Sequence, residues 1–224
     1  TYHNRRGQKV LDLNAWVFLS SMFVIALFVV TSLMNVEGVA HSASALQSWI
    51  ASKTGWFFVL TVNMILLYVL YLLFSRFGSV RLGGDEARPE FKRFAWFSML
   101  FSAGMGIGLM FYSIGEPMYH LASPPHGSEI GSIASYKDAM KTTYLHWGLH
   151  AWAIYALTGL ALAYFAYNRK QPLSIRALFQ PLLGDRIHGF WGHLIDTLAT
   201  VATLFGVATS LGSVSYTHLT LPTK

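Results

Sequence analysis

Cysteine is absent from the 224 residues, only 7 are proline and only 10 are acidic. The first absence excludes disulfides, thiol catalysis and cysteine-ligated metals. Charged residues make up 12% of the chain, about half the share that soluble domains carry, and so little polar surface excludes an ordinary soluble fold. There is no HExxH pattern, nucleophile and base pair, short-period repeat or low-complexity block, so no motif speaks for metal hydrolysis, covalent catalysis or a solenoid. The net charge of +6 sits in loops beside apolar runs and forms no basic face for nucleic acid.

What the chain has in abundance is hydrophobic residues, 54% of the total, gathered in long blocks. Five stretches free of Asp, Glu, Lys and Arg run from Asn14 to Val36, Trp56 to Ser75, Phe94 to Gly115, Thr142 to Asn168 and Ile187 to Gly212, the last interrupted only at Asp196. Each supplies the ~20 residues that cross a hydrocarbon core. The expected fold is therefore all-α and integral to a membrane, with five spans. A cleaved signal peptide is the alternative for the first stretch, but its apolar run exceeds the usual h-region.

Basic residues orient the spans. With the N-terminus inside, twelve Lys and Arg fall on the inner side (Arg5, Arg6, Lys9, Arg76, Arg81, Arg88, Lys92, Arg93, Arg169, Lys170, Arg176 and Arg186) and three outside (Lys53, Lys137 and Lys141). That asymmetry predicts a cytoplasmic N-terminus. Gly78 to Pro89 reads as a solvated inner turn. Leu173 to Leu183, with Ile175, Leu178, Phe179 and Leu182 among polar residues, reads as a short helix along the inner interface, although Pro181 interrupts the pattern.

The third span carries Gly104, Gly106 and Gly108, three glycines in five residues, each costing about 1 kcal/mol against alanine inside a helix. Alternate positions point about 200° apart, so a single packing seam accounts for the pattern poorly. An unwound segment that turns its backbone carbonyls toward a polar site accounts for it better. A small-residue seam through Gly104 and Gly108 is the alternative.

The fourth span holds Trp147, Trp152 and Tyr155 within an arc of roughly 140° if the helix is continuous. Trp152 lies too deep for the interfacial belt that suits Trp49, Trp56 and Trp96. Aromatic faces attract methylated cations, because the ring quadrupole favours the charge while the methyls fill apolar space. Cavity lining for a quaternary ammonium and plain core packing both remain open. His146 and His150 lack an acidic partner nearby in sequence and read as packing or hydrogen-bonding residues. Glu116, before Pro117, reads as a lip or cap at the outer end of the third span, and Asp196 as an ion-pair partner of Arg186 or a neighbouring helix.

Phe101-Ser-Ala-Gly-Met-Gly-Ile-Gly-Leu-Met-Phe-Tyr112, followed by Glu116-Pro117, resembles the third helix of the betaine/choline/carnitine transporter family. His146-Trp-Gly-Leu-His-Ala-Trp-Ala-Ile-Tyr155 resembles its fourth helix, and Phe205-Gly-Val-Ala-Thr-Ser-Leu-Gly212 its fifth. The resemblance implies a truncated twelve-helix, leucine-transporter-type inverted-repeat fold. Residues 1–13 would be the cytoplasmic N-terminus, 14–75 two peripheral spans, and 94–212 the first three helices of repeat one, with the interfacial helix at about 173–183. The polar tail over 213–224 reads as translated adapter sequence.

By the same resemblance, Trp147, Trp152, Tyr155, Gly104, Met105, Gly106 and Gly108 would bind substrate, and Ser102, Met105 and Thr203 would bind sodium. Val207 stands where sodium-coupled members carry a threonine. The implied function is import of glycine betaine or a related quaternary ammonium solute across a bacterial inner membrane. It would be coupled to sodium, with protons possible, and would need no cofactor; homotrimers are possible. A proton-coupled choline importer, a carnitine exchanger, a transporter-derived membrane sensor and a membrane enzyme are the alternatives. The segment alone is expected to be inactive.

Overall fold

The computed structural model describes residues 2–3, 9–11, 13–104 and 107–220. It is helical apart from a two-stranded antiparallel ribbon ahead of the first span, β1 (Tyr2–His3) and β2 (Lys9–Leu11). The all-α reading misses this ribbon because strands of two and three residues are too short for periodicity to register. The chain divides into two compact units, Thr1–Val59 with Ala161–Phe205, and Leu60–Leu160 with Gly206–Lys224.

In the first unit, α1 (Ala15–Met34) opens on Asn14, whose side-chain oxygen accepts from the Val17 N–H. Asn35 closes α1 by donating its N–H to the Thr31 carbonyl, and its side chain caps the next helix by accepting from the Gly38 N–H at 2.8 Å. One residue thus ends one helix and starts another, α2 (Val36–Phe74). The expected second span begins only at Trp56, whereas α2 starts twenty residues earlier. Ala40, Ala43, Ala45 and Ala51 favour helix, the first proline comes at position 89, and nothing in between stops the helix.

After α2 the chain makes a 3₁₀ turn (Arg76–Ser79), and Gly83 and Gly84 adopt positive φ at 94° and 96° in the following turn. Farther on, a π-helical turn (Tyr164–Asn168) leads into a 3₁₀ turn (Ile175–Phe179), α7 (Gln180–Leu183), a further 3₁₀ turn (Gly184–His188) and α8 (Phe190–Thr220). The expected short helix at 173–183 is thus a 3₁₀ turn joined to one α turn, with Pro181 at the start of α7, where its missing N–H costs nothing.

The α1 and α8 helices pair in ascending order. Asn14 Nδ2 donates to His193 Nδ1 at 3.2 Å, Ser20 and Thr197 share a 2.8 Å hydroxyl bond, and the Phe28 and Phe205 rings meet edge to face at 4.8 Å. Ascending order on both helices makes them parallel. Asp196 accepts from Arg176 twice, from its backbone N–H and from Nε, both at 3.2 Å. Its partner is therefore Arg176 on a neighbouring turn, where the sequence also allows Arg186.

The second unit contains α2 from Leu60 onward, α3 (Arg93–Gly104), α4 (Ile107–Ala122), α5 (Ile133–His146), most of α6 (Leu149–Ala163) and α8 from Gly206. The expected substrate and ion residues Met105 and Gly106 lie between α3 and α4, outside the described residues. The α4 helix packs against α5 and carries Pro117 internally, which removes an N–H from its ladder. Gly127 and Gly131 turn the chain with positive φ of 75° and 79°, and Ser132 caps α5.

Among the described residues, four helical stretches are long and apolar enough to cross a membrane: Ala15–Met34, Val36–Phe74, Ile133–Asn168, which is interrupted between α5 and α6, and Phe190–Gly212. Among the described residues few large apolar side chains are buried, and rings such as Trp16, Phe74 and Phe94 are more than 70% exposed. Such surfaces need lipid or further helices as their surroundings.

Candidate substrate site

The sequence treats Thr142 to Asn168 as one helix, but the backbone divides it. Helix α5 ends at His146, Trp147 is its C-cap, and α6 begins at Leu149. A Cβ at Gly148 would come within 2.5 Å of the Tyr144 carbonyl oxygen, so only glycine fits this interruption without displacement. Trp147 therefore ends one helix while Trp152 and Tyr155 lie on the next, and the single aromatic arc expected of a continuous helix does not hold.

A chain of side-chain contacts links them instead. Trp147 donates its indole N–H to Glu116 Oε2 at 2.6 Å, and Trp152 donates its own to the Trp147 carbonyl at 3.1 Å. The Trp152 and Tyr155 rings stand 5.9 Å apart at 45°, and Tyr112 faces Trp147 at 6.4 Å. Trp152 and Tyr155 remain 45% and 72% exposed, so the described residues form an open aromatic wall. They do not close a box around a solute.

Glu116 is the polar centre of this wall. It is buried at 8% exposure, its Oε1 accepts from His146 Nδ1 at 2.8 Å and from His120 Nε2 at 3.3 Å, and its Oε2 accepts from Trp147. The lip-or-cap reading is thus corrected. His146, which lacks an acidic partner nearby in sequence, finds one in Glu116, thirty positions away in sequence and against it in space. The signal within reach is a lone carboxylate at the edge of an apolar run, which needs partners if buried. His150 pairs with Asn63 Oδ1 at 3.3 Å, a separate contact between α6 and α2.

The other expected site residues stand apart. Ser102 lies exposed on α3, Gly104 ends that helix, and Gly108 falls in the first turn of α4. Thr203 lies on α8, in the other unit, and donates its hydroxyl hydrogen to the Ala199 carbonyl at 2.8 Å. That commitment leaves the oxygen lone pairs able to ligate a cation. Among the described residues no group of three or more His, Cys, Asp or Glu could hold a metal ion.

The family model of the BCCT, betaine/carnitine/choline family transporter, matches residues 16–219. The chain belongs to this family. It is 42% identical over 209 residues to a glycine betaine transporter of Acinetobacter baylyi, covering 93% of this chain and 32% of that protein. To a glycine betaine/proline/choline transporter of Vibrio parahaemolyticus it is 42% identical over 218 residues, covering 90% of this chain and 39% of the relative. An osmo-independent choline transporter of Acinetobacter baylyi is 39% identical over 202 residues, covering 90% of this chain and 38% of its own length. The chain thus spans about a third to two fifths of the curated relatives it matches. Members of the family are transporters, and this chain is a multi-pass membrane protein.

Proposed function

We propose that the complete protein to which this segment belongs is a secondary transporter importing glycine betaine or a closely related quaternary ammonium solute, coupled to sodium. The observation that carries the reading is the linked aromatic wall of Trp147, Trp152 and Tyr155. Two indoles and a phenol within reach of one another offer π faces to a trimethylammonium group, which has no N–H to donate. The carbonyls and amides of Gly104, Met105, Gly106 and Gly108 would complete the substrate site. The carbonyls of Ser102 and Met105 would supply oxygen ligands to one sodium and the Thr203 hydroxyl to a second, since sodium suits hydroxyl and carbonyl donors. Val207 contributes no hydroxyl, so a site at Thr203 would draw on ligands elsewhere.

Transport then follows from linkage. An ion that binds one conformation better than the other biases alternating access, and the solute moves through the same shared site. Five crossings in this segment, within a twelve-helix inverted repeat, fit the parallel pairing of α1 and α8, because two helices running the same way need an odd number of crossings between them. The segment alone would not accumulate solute in liposomes. Choline is the second reading, favoured by the similarity to a choline transporter.

The test is uptake of radiolabelled glycine betaine, choline and carnitine by the complete protein in a host lacking such transporters. Betaine uptake that excess choline inhibits only weakly supports the first reading. Choline uptake without betaine uptake transfers the assignment to the second, and uptake of neither overturns both.

A further inference from the structure

We infer that Glu116 is a positioning residue, the buried anchor that orients the Trp147 indole and, through the Trp147 carbonyl, the Trp152 indole. The inference rests on the reading of those indoles as the face that meets the solute. A carboxylate buried at the edge of a membrane span is costly unless it is fully hydrogen-bonded. Each oxygen of Glu116 has its own donor from the end of α5, His146 on Oε1 and Trp147 on Oε2, and His120 adds a third from α4 itself. Two consecutive residues thus grip one carboxylate as a fork just where α5 ends.

An indole has a single donor, its N–H. Spending that donor on an ionised acceptor fixes the ring's direction without drawing on its π system, against which the Tyr112 and His146 rings stand at 6.4 and 5.3 Å. The coupling reaches further, because the Trp147 backbone that this grip holds still also presents the carbonyl that accepts from Trp152. Pro117 directly follows Glu116 and cannot donate to the α4 ladder, so the backbone beside the anchor lacks one ladder hydrogen bond. An outer lip would need neither the burial nor the paired donors.

The experiment compares Glu116→Ala, Glu116→Gln and Trp147→Phe in the complete transporter, with membrane abundance measured in parallel. Loss of a charge-assisted hydrogen bond is expected to raise the apparent KM for betaine about tenfold or more in Glu116→Ala, with little change in maximal rate. Glu116→Gln, which keeps an acceptor oxygen, recovers most of that loss. In a Trp147→Phe background Glu116→Ala adds no further rise, as coupling through the indole demands. An unchanged KM, or fully additive effects, overturns the inference.

A second readout needs no solute. In protein labelled with ¹⁵N at the tryptophan indoles, the Trp147 and Trp152 resonances should move together in Glu116→Gln; movement of Trp147 alone, or of neither, contradicts the inference. If the wild type takes up no quaternary ammonium solute, the functional reading fails and these resonances alone decide the role of Glu116.

Discussion

Arg176 grips Asp196 with both its backbone N–H and its Nε, each at 3.2 Å, and so ties the 3₁₀ turn at Ile175–Phe179 to the second turn of α8. The side chains are 24% and 18% exposed, shielded enough for the pair to matter and wet enough to moderate its strength. Asp196→Ala should lower stability in detergent by about 1–2 kcal/mol, because it leaves Arg176 with an unpaired N–H and charge. Arg186→Ala should leave stability unchanged. Thermal unfolding of the two variants checks this, and an effect from Arg186→Ala equal to that from Asp196→Ala would show that the clasp contributes nothing of its own.

The parallel contacts of α1 with α8 bear on topology. If α1 enters from the cytoplasm, α8 does as well, and the loops alternate accordingly. The segment contains no cysteine, so single cysteines introduced at Arg81, Lys137 and Arg186 report on sidedness. A membrane-impermeant maleimide should label position 137 in intact cells, and positions 81 and 186 only after permeabilisation. Labelling of position 186 from outside would break the proposed five-crossing arrangement.

Gly148 separates the two halves of the aromatic wall. A methyl group there would overlap the Tyr144 carbonyl oxygen, only 2.5 Å from where the new carbon would stand. Relieving that contact requires the backbone to shift, at about 1–3 kcal/mol. Gly148→Ala should therefore impair betaine uptake through a raised KM while the protein still reaches the membrane. Normal KM in this variant would mean that the helix break at 147–148 plays no part in placing Trp147 and Trp152.

Four of the five apolar blocks coincide with helices long enough to cross a bilayer, because lipid demands uninterrupted apolar runs that composition displays directly. The third block meets α3 and α4 on either side of residues 105–106, which lie outside the described residues. The early start of α2 is hidden in the sequence by Glu37, His41 and Lys53, which mark an aqueous segment without opposing helix formation. The break at Gly148 escapes a helical wheel, which assumes continuity, and a lone glycine in a helical run is ordinarily tolerated. Glu116 is illegible for a different reason. Its donors His146 and Trp147 lie thirty and thirty-one positions away, and only the packing of α4 on α5 brings them together. Choosing Arg176 over Arg186 for Asp196 likewise depends on the 3₁₀ turn that carries Arg176, which charge and spacing do not reveal.

Binding of a quaternary ammonium solute on the aromatic wall, for ion-driven import, can be tested in one experiment. Initial uptake of radiolabelled glycine betaine by the complete transporter is measured in sodium and in potassium buffer, with wild type and Trp152→Ala side by side. Uptake is expected in sodium alone, with Trp152→Ala lowering affinity by about ten- to thirtyfold, the upper range of a desolvated cation–π contact. Equal uptake in both buffers would contradict sodium coupling, and wild-type affinity in Trp152→Ala would contradict the aromatic site.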